Sequence, residues 1–174
     1  MIEYVVKVYF YGDRFWYLND KLHREDGPAC EYASGSKEWY FNGKLHREDG
    51  PACEYASGSK EWYLNGKYHR EDGPAIECTN GDRKWYKNGK LHREDGPAVE
   101  CTNGYNSWYM NGLHHREDGP AIECSDGDKA WYLNGEDLTE EEFLQMTQKH
   151  VIIIDGQKIS VSEKSFNELK KSLN

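Results

Sequence analysis

Apolar and polar positions alternate over short runs, and the runs recur at a fixed interval. Gly50 to Gly66 reads GPACEYASGSKEWYLNG. Cys53, Glu54 and Tyr55 alternate apolar, charged, apolar, the period-two signature of a strand with one buried face. A second apolar run is centred on Trp62 and Tyr63. Between them lies Ser57-Gly58, replaced in later copies by Asn80-Gly81, Asn103-Gly104 and Asp126-Gly127. Asn-Gly and Asp-Gly favour a tight turn in which both central residues take positive φ. The pattern predicts a β-hairpin with a two-residue turn and so a definite register. Thr79 would face Asp82, Glu77 would face Lys84, and Ile76 would face Trp85. Carried along the chain, this sets Trp39 against Cys30, Trp62 against Cys53, Trp108 against Val99 and Trp131 against Ile122. It also opposes Glu31 to Glu38 and Glu54 to Glu61, like-charge pairs that cost stability.

The interval is 23 residues. The heptapeptide His-Arg-Glu-Asp-Gly-Pro-Ala begins at His23, His46, His69, His92 and His115, and Trp16, Trp39, Trp62, Trp85, Trp108 and Trp131 keep the same spacing. A unit this short cannot bury its own apolar face, so it must stack on its neighbours. The segment from Gly43 to Gly50, GKLHREDG, is too long for a tight turn and is expected to fold over one side of the sheet. Pro51 then starts the next strand, where its missing N–H is harmless. Ile2 to Phe10 is expected to partner the strand of Trp16. Six hairpins would give about 12 strands. A parallel β-helix with one coil per repeat is the competing architecture, and the Asn-Gly turns favour hairpins.

Periodicity stops after Gly135. Thr139-Glu140-Glu141-Glu142 has the form of a capping box, with Leu138 and Phe143 around it. A helix is predicted to about Lys149. A hairpin follows, from Val151–Ile154 through Asp155-Gly156 to Gln157–Val161, and then a helix capped by Ser162 with Phe166, Leu169 and Leu173 on one face. The fold class is therefore mainly β: an elongated antiparallel β-hairpin repeat sheet over residues 1–135, closed by a small C-terminal α/β cap, helix–hairpin–helix, over residues 136–174. Such a segment covers the last strand of an array; docking a partner is its alternative role.

Composition changes the picture in three ways. Apolar residues make up 37% of the 174, whereas 13 Tyr and 6 Trp supply much of the large apolar surface, so the core is expected to be aromatic. Each such ring removes about 150–250 Å² from water when buried. The net charge is −9 with no Lys/Arg cluster, which disfavours direct nucleic-acid binding. No stretch approaches the length of a membrane span, and the N-terminus lacks a signal-peptide pattern, so a cytoplasmic location is expected. Cys30, Cys53, Cys78, Cys101 and Cys124 recur with the repeats. They are expected to be small buried thiols, because equivalent residues about 9.5 Å apart exceed disulfide reach.

The units resemble MORN repeats, a family with a repeat of similar length. The likeness is carried by Glu61-Trp62, Asn65-Gly66-Lys67, His69 and Gly73, then the turn at Gly81, and again by Glu38-Trp39, Asn42-Gly43-Lys44, His46 and Gly50. Arg-Glu-Asp between His and Gly, and Pro-Ala after it, depart from the common pattern. They match a variant, W-Y-x-N-G-K-x-H-R-E-D-G-P-A, found in bacterial, bacteriophage and large-virus proteins. The resemblance covers about residues 9–135. It implies an elongated antiparallel sheet and two kinds of function, protein scaffolding and phospholipid head-group binding.

No catalytic constellation stands out, and neither a cofactor nor a metal site is expected. Neighbouring tetrads about 9.5 Å apart cannot share an ion that needs ligands at about 2 Å. His is expected to pack or hydrogen-bond, Arg to pair with Glu or Asp of the next unit, and Asp to stabilise its turn; a repeated ligand site is the other reading. His114, in Gly-Leu-His-His, breaks the repeat. Two ladders are the candidate partner-binding residues: Tyr40, Tyr63, Tyr86, Tyr109 and Tyr132, and Arg24, Arg47, Arg70, Arg93 and Arg116. The tyrosines, predicted to face away from the Trp row, form either a second packed face or an exposed recognition strip. The expected function is a non-enzymatic protein-interaction repeat, such as a phage or viral inhibitor of a host defence factor. The alternatives are a small-molecule or lipid-head-group binder, or an assembly protein forming homo-oligomers through the N-terminal edge strand or the cap.

Overall fold

A computed structural model describes residues 3–147, 149–154 and 157–172. Its main body is one 14-stranded antiparallel sheet whose strands follow chain order, beginning with β1 (Val5–Val8) and β2 (Arg14–Leu18) and ending at Glu136–Leu138. The parallel coil is thereby excluded: the protein is a stack of hairpins.

The register differs from the expected one by one residue. Ile76 pairs with Lys84 and Glu77 with Arg83. The turn has three residues, Thr79-Asn80-Gly81, closed by Cys78 N–H to Asp82 O at 2.9 Å and Gly81 N–H to Cys78 O at 2.9 Å. Only the glycine takes positive φ, at 94°. This three-residue hairpin loop with glycine at its last position accepts Ser, Asn or Asp before that glycine, which explains Ser34, Ser57, Asn80, Asn103 and Asp126.

The shift removes the like-charge problem. One row across the sheet runs Arg14, Glu31, Lys37, Glu54, Lys60, Glu77, Arg83, Glu100, Asn106, Glu123, Lys129. Charges alternate in sign except at Asn106, so nearly every cross-strand neighbour is favourable. The adjacent row carries Phe15, Cys30, Glu38, Cys53, Glu61, Ile76, Lys84, Val99, Ser107, Ile122 and Ala130.

The tryptophans are not opposite Cys30, Cys53, Val99 and Ile122 as expected. In the inner units each stands at a corner between two strands. Trp62 gives its N–H to Ala75 O of the next unit at 2.8 Å, and its carbonyl accepts the N–H of His69 at 3.0 Å. Beyond the corner lies a second hairpin that hydrophobic patterning missed, Tyr63–Leu64 against Lys67–Tyr68 in this unit. Its turn is Asn65-Gly66, with φ of 53° and 79°. Here both residues are left-handed, the mirror-image turn expected at the other hairpin. Successive small hairpins are tied together, as by Gly66 N–H to Leu45 O at 2.8 Å.

The core is thinner than an aromatic one. Ala29, Ala52, Ala75, Ala98 and Ala121 are fully buried, as are Cys30 and Cys53, whereas all six tryptophans are only partly buried. Backbone approaches backbone where the N–H groups of Trp16, Trp39, Trp62, Trp85 and Trp108 meet the next unit's Ala carbonyl. Only small side chains fit there. The cysteines form two series, since Cys53 and Cys78 lie 25 residues apart. Cys30 and Cys53 occupy the place of Ile76, while Cys78, Cys101 and Cys124 stand where earlier units have Tyr32 and Tyr55. The first two are buried; the other three are half-buried.

The C-terminal segment follows its sequence signals. Helix α1 (Glu140–Thr147) is opened by a reciprocal capping box: Glu142 N–H donates to Thr139 Oγ1 at 3.2 Å and Thr139 N–H to Glu142 Oε2 at 2.8 Å. Phe143 is buried. The hairpin Lys149–Ile154 with Gln157–Ser162 leads to helix α2 (Glu163–Ser172), where Ser165 N–H donates to Ser162 Oγ at 3.2 Å. Phe166 stacks on His150, and Leu169 is 40% exposed. The expected turn at Asp155-Gly156 and the expected contact of Leu173 fall outside the described residues.

Candidate functional site

The heptapeptide folds as a loop around its arginine. Arg47 lies over the Trp39 ring at 4.1 Å. Its Nε donates to Asp49 at 2.9 Å, and its Nη1 donates to Pro51 O at 3.2 Å and to Glu54 at 3.0 Å. Arg24, Arg70, Arg93 and Arg116 repeat this arrangement over Trp16, Trp62, Trp85 and Trp108. A fork that also stacks requires guanidinium chemistry, and lysine cannot replace it. The loop glycine follows from the same packing. A Cβ on Gly50 would stand 3.0 Å from the Arg47 guanidinium carbon, so a side chain would push the fork off the ring.

The remaining residues of the motif have roles in the stack. His46 Nδ1 accepts the N–H of Asn65 in the next unit at 3.1 Å. An amide N–H only donates, so the ring proton of neutral His46 sits on Nε2, facing Glu48 at 3.7 Å. Arg47 N–H donates to Tyr63 O at 3.1 Å. The arginine bond, followed by the guanidinium charge, holds each of Asp26, Asp49, Asp72 and Asp95 below the usual carboxylate range. Asp118 is lowered by the same bond. The stabilisation from a lowered carboxylate is present above its unfolded value and disappears as pH falls through the folded one.

Between consecutive loops lie open grooves of about 510, 790 and 730 Å³. Trp39, Trp62 and Trp85 line them in turn, beside the changing residues Phe41, Leu64 and Lys87. The walls carry the loop carboxylates. Glu48, Asp49, Glu71, Asp72, Glu94 and Asp95 are between 77% and 85% exposed at the side chain. Arg24, Arg47, Arg70 and Arg93 also line these grooves, with their forks already bonded to loop acceptors.

Of the tyrosine ladder, Tyr40 lines the first groove beside Trp39 and Phe41, whereas Tyr63 and Tyr86 line none of the three grooves. Tyr40, Tyr63, Tyr86, Tyr109 and Tyr132 are half-buried. Tyr63 and Tyr68 both donate to Glu61, at 3.0 and 3.2 Å, and their rings stack at 4.2 Å. Tyr32 donates to Glu38 at 3.1 Å. Burial, followed by the Glu38 charge, raises the Tyr40 hydroxyl and pushes the Cys30 and Cys53 thiols up to about 12. These thiols stay protonated and unreactive at neutral pH.

The sheet row from Phe15 to Ala130 is also where the units differ most. Glu38 and Glu61 become Lys84, Ser107 and Ala130. Ser107 Oγ lies 3.1 Å from His114 Nδ1, and His114 Nε2 lies 2.9 Å from Tyr109 Oη. The oddity at His114 is thus a polar network, visible in the sequence only as two departures from the repeat seven residues apart. Ser107 is fully buried, so the pair offers no accessible nucleophile. Burial holds the His114 imidazole below its usual 6.5. The fold keeps the ring neutral while the unfolded chain takes up a proton, so its contribution is complete above 6.5 and declines as pH falls below that. His114→Leu, with the leucine found at Leu45 and Leu91, is expected to flatten this part of the urea-stability profile. An unchanged slope would refute the buried neutral ring.

Among the described residues, no group of three or more His, Cys, Asp or Glu is placed to hold a metal, and no helix is long and apolar enough to cross a membrane. Comparison with known protein families found no family model that matches this chain, and comparison with curated proteins found no matching relative.

Proposed function

We propose that this chain is a non-enzymatic protein-interaction module, and that its loop edge receives the partner. The observation that carries this reading is the series of grooves, each with tryptophan and a unit-specific Phe41, Leu64 or Lys87 inside and exposed carboxylates at the rim. An aromatic floor with a charged, solvated rim is the anatomy of a protein recognition surface. The rim selects a basic segment, and the changing inner residue sets which unit takes which side chain. The likeness of the repeats to MORN scaffolds and to the phage and large-virus variant supports the same reading, including capture of a host factor. The arginine ladder shapes the grooves. Its forks are internally bonded, which argues against a repeated phosphate or lipid-head-group site.

The test is capture with tagged protein from the lysate of its host, with intact complexes weighed by native mass spectrometry. One stoichiometric protein is expected. Glu48→Lys with Glu71→Lys should slow its association in a salt-dependent way while the fold remains. A partner retained equally by this variant would place the interaction elsewhere. A chain that captures nothing would remove the reading.

A further inference from the structure

The two ends of the sheet are finished differently. At the C-terminal end, helix α1 packs on the last strands. At the other end β1 pairs only with β2, so its outer edge is open among the described residues. Val5, Val6 and Val8 are 62%, 45% and 66% exposed. An apolar edge strand without a cover is a template for another strand.

The backbone shows which groups are on offer. Tyr9 N–H donates to Asp13 O at 2.9 Å, which places Val5 and Lys7 among the residues bonded to β2. Antiparallel bonding alternates, so Tyr4, Val6 and Val8 turn their N–H and C=O outward. Trp16, opposite Val6, accordingly sends its own N–H the other way, to Ala29 O at 2.8 Å. A second strand must present outward groups of the same parity, which limits the registers.

We propose that the free edge of β1 pairs antiparallel with β1 of a second copy of this chain, in the register that opposes Glu3 of each copy to Lys7 of the other. In that register Val5 meets Val5 on the two-fold axis, and Tyr4 and Val6 exchange backbone hydrogen bonds. Glu3 and Lys7 are both exposed and fall at the closer, non-hydrogen-bonded positions. Shifting the strands by one step in either direction loses both charge pairs. One step sets Lys7 against Val5 and Glu3 against Tyr9, and the opposite step sets Glu3 against Val5. A shift of two steps opposes Lys7 to Lys7. Charge complementarity therefore selects one isologous register. The interface is a single strand, so association is weak and concentration-dependent.

Sedimentation equilibrium of the purified full chain over a concentration series tests this without any other protein, so its outcome is independent of the loop-edge reading. A monomer–dimer equilibrium is expected. Lys7→Glu turns two attractive pairs repulsive and should weaken it by about tenfold or more. Glu3→Lys should do the same, and the double exchange Glu3→Lys/Lys7→Glu should restore dimerisation. Circular dichroism checks that each variant keeps its fold. A wild-type chain that stays monomeric throughout would overturn the proposal, as would a Lys7→Glu dimer of unchanged strength or a double exchange that fails to recover it.

Discussion

Trp62→Ala is expected to destabilise the array by about 3 kcal/mol in urea unfolding. The ring is only partly buried, which keeps the loss at the lower end of the range for large aromatic residues. Much of the loss should come through Arg70, whose guanidinium carbon stands 4.0 Å from the ring centroid. Without the ring, the fork keeps its bonds to Asp72, Pro74 and Glu77 but loses the surface that orients it. A double-mutant cycle with Arg70→Ala should therefore show a coupling of about 0.5–2 kcal/mol. Additive losses would mean that ring and guanidinium are neighbours without being partners. The position in the array matters too. A weak unit in the middle separates two stacks, so the unfolding transition should broaden or split, as in other nearest-neighbour arrays.

Ala75→Leu should cost about 2–3 kcal/mol through overpacking. Ala75 is fully buried, and its carbonyl receives the Trp62 N–H at 2.8 Å. A branched side chain there has no space unless the two units move apart, which would also strain the pairing of Ile76 with Glu61. Ala75→Gly is the control. It adds no volume and should cost about 1 kcal/mol through backbone entropy. If leucine is tolerated as well as glycine, the close approach of neighbouring units does not depend on this position.

Much of the fold is legible in the sequence. The 23-residue interval, antiparallel hairpins, capping box at Thr139 and start of the last helix at Ser162 all rest on local chemistry. The difference between the two turns is also local. Ser, Asn and Asp share the place before glycine in the main hairpin, whereas Asn42, Asn65, Asn88, Asn111 and Asn134 precede the second glycine without exception. Positive φ at a non-glycine residue favours asparagine and excludes serine. The invariant Asn-Gly is therefore the mirror-image turn, and the three-residue loop at the other glycine offsets every cross-strand partner by one residue from a two-residue turn.

The candidate site was less legible. Arginine pairing with the acidic residues could be anticipated from residue type. Which acids it would bond, and that it would lie on a tryptophan eight residues earlier, depended on the corner at each Trp. The grooves could not be read at all, because each is made by two units and an inner residue from the small hairpin. By itself the sequence determined the 23-residue unit, its main antiparallel hairpin and the capped starts of the terminal helices, since these follow from periodicity and capping within a few residues. Only the tertiary structure decided the thin alanine core and the commitment of the arginine forks, because both depend on how closely one unit approaches the next.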